Sequence, residues 1–208
     1  MAFIHQGPHG WRDLRRGMVW LAALCIWGGV VAPATAQQAA PAAAPRSAVV
    51  TAITADITVD GVLDEPVWGS SPKIGDLTQR QPLPGQPPTE RTEVTLLHDG
   101  DNLYIGVMCY DSEPDRILGS QMGRDASLGS DDRLEIVLDT FRDQRNAFFF
   151  STNAAGALVD GLAFANGQSN NEWDAIWDVR TRRTADGWVA EFAIPFKSLS
   201  FPSTRTVW

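Results

Sequence analysis

The sequence predicts an all-β domain, an antiparallel β-sandwich of jelly-roll-like form, and three observations carry that prediction. Apolar residues recur with period two: Leu134, Ile136 and Leu138 alternate with Glu135, Val137 and Asp139, and Trp188, Ala190, Phe192 and Ile194 alternate with Val189, Glu191 and Ala193. That is the pattern of strands with one face buried. Turn signals separate nearly all such stretches, namely Asp60-Gly61, Asp99-Gly100-Asp101-Asn102, Asn153 to Gly156, Asn166-Gly167 and Asp186-Gly187. No stretch has the length and period of a crossover helix, and only Asp64 to Trp68 offers a helical turn, so the strands have to be joined as neighbours running in opposite directions.

Along the chain, Arg12, Arg15 and Arg16 precede an apolar run from Met18 to Ala32, and Ala34-Thr35-Ala36 is a small-x-small cleavage site. Residues 1–36 therefore read as a secretory signal peptide. The run is shorter than the roughly 20 residues needed to cross a bilayer. The Ala, Pro and Gln of residues 37–46 show no periodicity and read as a linker. The folded part is expected over 47–208, with strands at Ala48 to Val59, Arg91 to His98, Leu103 to Tyr110, Leu134 to Leu138, Ala147 to Thr152, Ala157 to Phe164, Ala175 to Arg182 and Trp188 to Ile194. Thr206-Val207-Trp208 looks like the entry to another strand, so the sandwich is expected to lack its last strands and to expose an edge.

The formal charge of the chain is -8, and removing three Arg and one Asp with residues 1–36 leaves 14 basic against 24 acidic groups. Such a surface repels nucleic acid and anionic lipid. Of two cysteines only Cys109 lies in the folded part, so no internal disulfide forms there, and its strand-like neighbours make it a core residue. His98 is the one histidine of that part, at a strand end beside a turn. With no GxSxG or HExxH motif near it, a triad or a zinc site has nothing to build on.

Carboxylates are the abundant reactive groups. Glu135 with Asp139 or Glu191 offers the pair that a glycoside hydrolase requires, though Glu135, Val137 and Asp139 equally describe a solvated or ligand-facing strand face. Calcium suits clustered acids, and the candidates are Asp131 with Asp132, Asp60 with Asp64, and Asp99 with Asp101; none has the spacing DxDxDG. Asp60 and Asp64 also suit turn chemistry, the first accepting amide bonds ahead of Gly61 and the second capping the helical turn. Sugar recognition asks for a flat aromatic surface plus amides and carboxylates. An aromatic contact worth about 0.5 to 1.5 kcal/mol does not by itself approach the roughly 7 kcal/mol of a 10 μM ligand, so hydrogen bonds have to supply much of the rest. Asn166 to Trp177 has this composition: Asn166, Gln168, Asn170 and Asn171 lead into Trp173 and Trp177, which share a face if the strand extends back to Trp173. Both tryptophans also fit a core role, as Trp68 and Trp188 do.

Four stretches in order, VDGVLDEPVW (59–68), NLYIGVMCYD (102–111), SDDRLEIVLD (130–139) and GWVAEFAIPFKSL (187–199), resemble the family 9 carbohydrate-binding modules. ERTEV, LDTFRDQRN and WDAIWDV are similar to a subgroup in which the module precedes an outer-membrane β-barrel-like region. The resemblance implies a poly- or oligosaccharide partner, an accompanying calcium ion and an exported location that is periplasmic, outer-membrane-associated or extracellular. It also implies a sugar held between two tryptophans with a Glu and an Arg. Glu135 falls on the Glu position; the first Trp position falls on Leu128 or Gly129, the Arg position near Ser151, and the second Trp position beyond Trp208. The expectation is a non-catalytic carbohydrate-binding module, accessory to polysaccharide breakdown or capturing glycans at the cell surface. A structural sandwich without a sugar ligand and a glycoside hydrolase are the alternatives.

Overall fold

Two sheets account for the ten strands found among residues 47–202, the part of the chain described by the computed structural model. The expected signal peptide and linker, and Thr206-Val207-Trp208, lie outside the described residues. The strands are β1 (Thr51–Ala52), β2 (Lys73–Ile74), β3 (Thr92–His98), β4 (Asn102–Tyr110), β5 (Arg133–Leu138), β6 (Asn146–Asn153), β7 (Val159–Phe164), β8 (Ser169–Asn170), β9 (Asp178–Thr184) and β10 (Gly187–Pro195), with a short helix α1 at Pro66–Ser70. The larger sheet runs β1-β3-β4-β10-β9 with β2 on the same edge of β3, and the smaller runs β5-β6-β7-β8. Among the described residues no helix is long and apolar enough to cross a membrane.

The sheets enclose one main core. Val94, Leu103, Ile105, Val107, Cys109, Ala190, Phe192 and Ile194 of the larger sheet meet Leu134, Ile136 and Phe150 of the smaller, and these are the period-two apolar positions of the sequence. Cys109, 1% exposed, is one of them. The other face of β4 presents Tyr104, Gly106 and Met108, and there the chain builds a second core. Trp68, Leu97 and Tyr104 pack with Ile53, Ile57, Val59, Leu63 and Val67, so residues 53–68 lie as a strap across the outer face of the larger sheet.

The strap is fixed at two places. A Cβ on Gly106 would stand 2.8 Å from both the Trp68 ring and Leu63, so only glycine lets the indole lie on the strand. Gly61, at φ +83° and against the Thr181 backbone, turns the chain in a conformation that L side chains resist. Asp60 accepts the Val62 amide at 2.9 Å, as its turn role requires. Asp64 does not cap α1. The N-cap position is Glu65, whose carboxylate instead accepts the Thr58 amide and, at 2.9 Å, the Trp68 indole N–H.

Three expected strands are shorter than the apolar pattern suggests. Only Thr51–Ala52 of the first becomes a strand, and it pairs parallel to β3, the one exception to the antiparallel order; Ile53, Ile57 and Val59 alternate because they face the sheet as a strap, not as a paired strand. β7 starts at Val159 and β9 at Asp178. The free edge of β9 carries exposed Arg180, Arg182 and Arg183, charge that discourages pairing with another strand.

Candidate functional site

The outer face of the smaller sheet is left open by the strap. Register aligns Glu135 with Ser151 and Val159 in one row, and Val137 with Phe149 and Gly161 in the next. Because Leu134, Ile136 and Phe150 turn inward, these residues all face away from the core. The Phe149 ring lies over Gly161, where a Cβ would come within 2.6 Å of it. Glu135 is half-buried and has no hydrogen bond or ion pair among the described residues, which leaves both oxygens as acceptors toward this face. Ser151, directly opposite, is 3% exposed and donates its hydroxyl to the Leu134 carbonyl at 2.8 Å. The residue at the family's Arg position is thus beside Glu135, as the resemblance implies, but it is short and already engaged. Leu128 is 4% exposed and Gly129 has only a serine hydroxyl near its Cβ direction, so neither offers an aromatic face.

The remaining sugar-site candidates gather elsewhere. Asn170, on β8, pairs with Leu162 of β7 and so shares the inward-facing row of Phe148 and Leu138, three strands from Glu135 and on the other face of the sheet. Asn171 follows it, and both are exposed. Trp173 and Trp177 precede β9, so the extended strand that would align them is not formed. Trp177 is 7% exposed, stacked on Phe192 at 5.9 Å and edge-on to Phe150 at 5.2 Å. Trp173 packs on Phe148 at 5.0 Å and on Phe150. The two indoles extend the core and do not form an exposed platform: hydrophobic burial outcompetes display for both.

What turns Trp177 inward is a residue the sequence reading missed. Asp160 is fully buried, and it accepts the Trp177 indole N–H at 3.0 Å, the Ala175 amide at 2.6 Å and the Arg124 guanidinium at 2.6 Å. Arg124 reaches on to Asp174 at 3.2 Å, so one cation ties the loop after β4 to the loop after β8. The signal was available: Asp160 has the same strand parity as Leu162, an acid on an apolar face. The ligand oxygens of Asp125, Asp160 and Asp174 lie within 4.8 Å of one another, yet Arg124 already supplies the positive charge among them.

Asp131 holds a loop through its carboxylate. It is 2% exposed and accepts the Ser120 amide and hydroxyl, the Gln121 amide and the Asn153 side-chain amide at 2.7–3.0 Å. Burial opposes its ionisation, but these bonds outweigh it and hold the carboxyl below its ordinary range. Asp132 accepts the Leu118 amide at 2.7 Å; the pair pins a loop. Asp99 likewise serves its turn, accepting the Asp101 and Asn102 amides and the Tyr104 hydroxyl. His98 is half-buried, its ring edge-on to Phe196 at 6.5 Å.

Nor do the carboxylates form a hydrolytic pair. Glu191 faces the strap on the outer side of the larger sheet, while Glu135 faces out from the smaller one, with the core between them. Asp139 accepts the Asp143 and Gln144 amides in the β5–β6 turn.

Comparison with solved structures gives the same architecture. A family 9 carbohydrate-binding module from Caldicellulosiruptor kristjanssonii, solved with glucose, superposes with a TM-score of 0.50 at 17% identity, covering 74% of this chain and 71% of that one. Its complex with cellotriose gives 0.49 at 16%, covering 71% and 66%. A Bacteroides uniformis protein described as a candidate carbohydrate-binding protein gives 0.57 at 13%, covering 76% and 78%. No curated protein matches the chain. At these identities the likeness is one of fold, and the sequence itself supplies the rest. Residues 59–207 match the model of the carbohydrate family 9 binding domain-like family, and the chain belongs to that family.

Proposed function

We propose that the domain binds a poly- or oligosaccharide without cleaving it, through the outer face of the smaller sheet. The observation that carries this reading is Glu135, a half-buried carboxylate with no partner among the described residues, at the family's Glu position and on the sheet face that the strap leaves uncovered. Such an acceptor suits sugar hydroxyls, and exposed Asn171 follows the far edge strand of the same sheet as a contact for a longer ligand. A relative by fold is solved with glucose, which makes glucose and its oligomers the first probes. Export by residues 1–36 is part of the same reading, supported by their basic-then-apolar pattern, as are an accessory role in polysaccharide breakdown or surface capture, a following membrane barrel and a calcium ion, supported by the sequence resemblance.

Binding without cleavage is supported by the separation of Glu135 and Glu191 by the whole sandwich, since a glycosidase holds its two carboxyls about 5 to 9.5 Å apart. A second reading, a structural sandwich with no sugar ligand, is favoured because the resemblance places the family's first Trp on Leu128 or Gly129 and its Arg near Ser151, none of which offers an aromatic face or a cation. Calorimetric titration of the purified protein with glucose, cellotriose and longer glucans, with and without calcium, separates the two. Saturable heat with no release of reducing sugar supports binding; no heat with any saccharide leaves the structural reading.

A further inference from the structure

Glu191 is a fully buried titratable group that the sugar-binding reading does not use. It lies on β10, beneath the strap. One oxygen accepts two strap amides, those of Asp60 and Gly61, each at 2.9 Å. The other, Oε1, is buried without a partner among the described residues. A carboxylate with one oxygen orphaned away from water is an expensive ion, and a neutral carboxyl far less so.

We propose that closure of the strap over residues 53–68 is linked to a proton on Glu191: the strap lies down while the carboxyl is neutral and loosens when it ionises. The groups around it act in that direction. The strap brings Asp60, Asp64 and Glu65, all acids. On β9, Arg180 stands opposite in register but is turned to Asp178; Arg182 lies two residues further along that strand. On β4 the facing residue is Gly106, which has no charge to offer, with Tyr104 beyond it; Glu93, Lys73 and Arg91 stand on the same face towards β2 and β3, where the two cations are paired to Glu93 at 3.1 and 2.8 Å and not to Glu191. Burial first, opposed by the two amide bonds and reinforced by Glu65 and Asp60, pushes the Glu191 carboxyl up to about 7.

The sign follows. A carboxyl with a raised value in the closed state contributes stability that is fully present below its ordinary 4.5 and lost as pH rises through about 7. Opening of the strap returns the group to solvent and releases the proton, so the opening equilibrium increases roughly 70-fold between pH 5 and pH 8.

Amide hydrogen exchange at Asp60 and Gly61 reads this directly once the intrinsic pH dependence of exchange is divided out. In the full chain, protection is expected to fall by that factor from pH 5 to pH 8, and to be flat in Glu191→Gln. Protection that is flat in the unmodified protein, or that keeps its slope in Glu191→Gln, overturns the proposal. Should that variant fail to fold, infrared spectra of the unmodified protein labelled with carbon-13 at glutamate decide it: a protonated carboxyl band present at pH 6 and lost above pH 8 is expected, and its absence at pH 6 is fatal.

Discussion

The two sheets of this sandwich treat their outer faces differently. On the larger sheet the chain returns as a strap and buries Trp68, Leu97, Tyr104 and Glu191, each no more than 8% exposed. On the smaller sheet no such strap is found among the described residues; Glu135, Val137, Val159 and Ala163 remain half-buried beside buried Phe149 and Ser151, and none of them joins a core cluster. The difference teaches that one outer face is spent on stability by the strap, while the other carries the half-buried, unpaired Glu135 carboxylate on which the proposed binding reading rests. Position relative to the strap, more than residue type, separates Glu191 from Glu135.

Substitutions on the two faces should therefore have separable effects. Trp68→Ala removes the anchor of the strap and is expected to cost about 3 to 5 kcal/mol in chemical denaturation, with little change in affinity for any saccharide that binds the far face. Asp160→Ala strips the buried acceptor from Trp177, Ala175 and Arg124; a loss of about 2 to 4 kcal/mol is expected by the same measurement, discounted because Arg124 is 40% exposed. If that variant is as stable as the parent, the account of how Trp177 is held is wrong.

Glu135→Gln sharpens the contrast from the open side. Stability should change by no more than about 0.5 kcal/mol, while affinity for an oligosaccharide falls roughly 10- to 100-fold in titration calorimetry, the usual loss for a hydrogen bond to a charged group. Equal affinity would move the site away from this face. The smallest effect is expected from acid. Asp131 has a depressed carboxyl value in the folded state, so its contribution is present above its ordinary 3.8 and is lost as pH falls through the lower folded value. Exchange at Ser120 and Gln121 should accelerate there, and should no longer do so in Asp131→Asn.

The legibility of the sequence follows the same division. Strands β3 to β6 and β10 are visible because burial on one or both faces imposes a period of two that local residues must satisfy, and Asp-Gly and Asn-Gly pairs mark the turns between them. The segment 48–59 has the same alternation and is mostly not a strand, because a strap lying on a sheet also alternates. β2 and β8, two residues each, are too short to leave a pattern. Glu135 was legible through its place in SDDRLEIVLD, whereas the fate of Trp173 and Trp177 was not, since a tryptophan carries the same letters whether stacked on Phe192 or turned outward.

By itself the sequence determined the all-β class, which rests on local periodicity and turn chemistry, and pointed to the family through the resemblance carried by VDGVLDEPVW and three later stretches. Only the tertiary structure decided that Asp160 draws Trp177 inward, that Asp131 spends its oxygens on a loop, and that Glu191 and Glu135 lie on opposite outer faces. Those outcomes depend on which distant groups meet, and strand register and sheet order fix that where neighbouring residues do not.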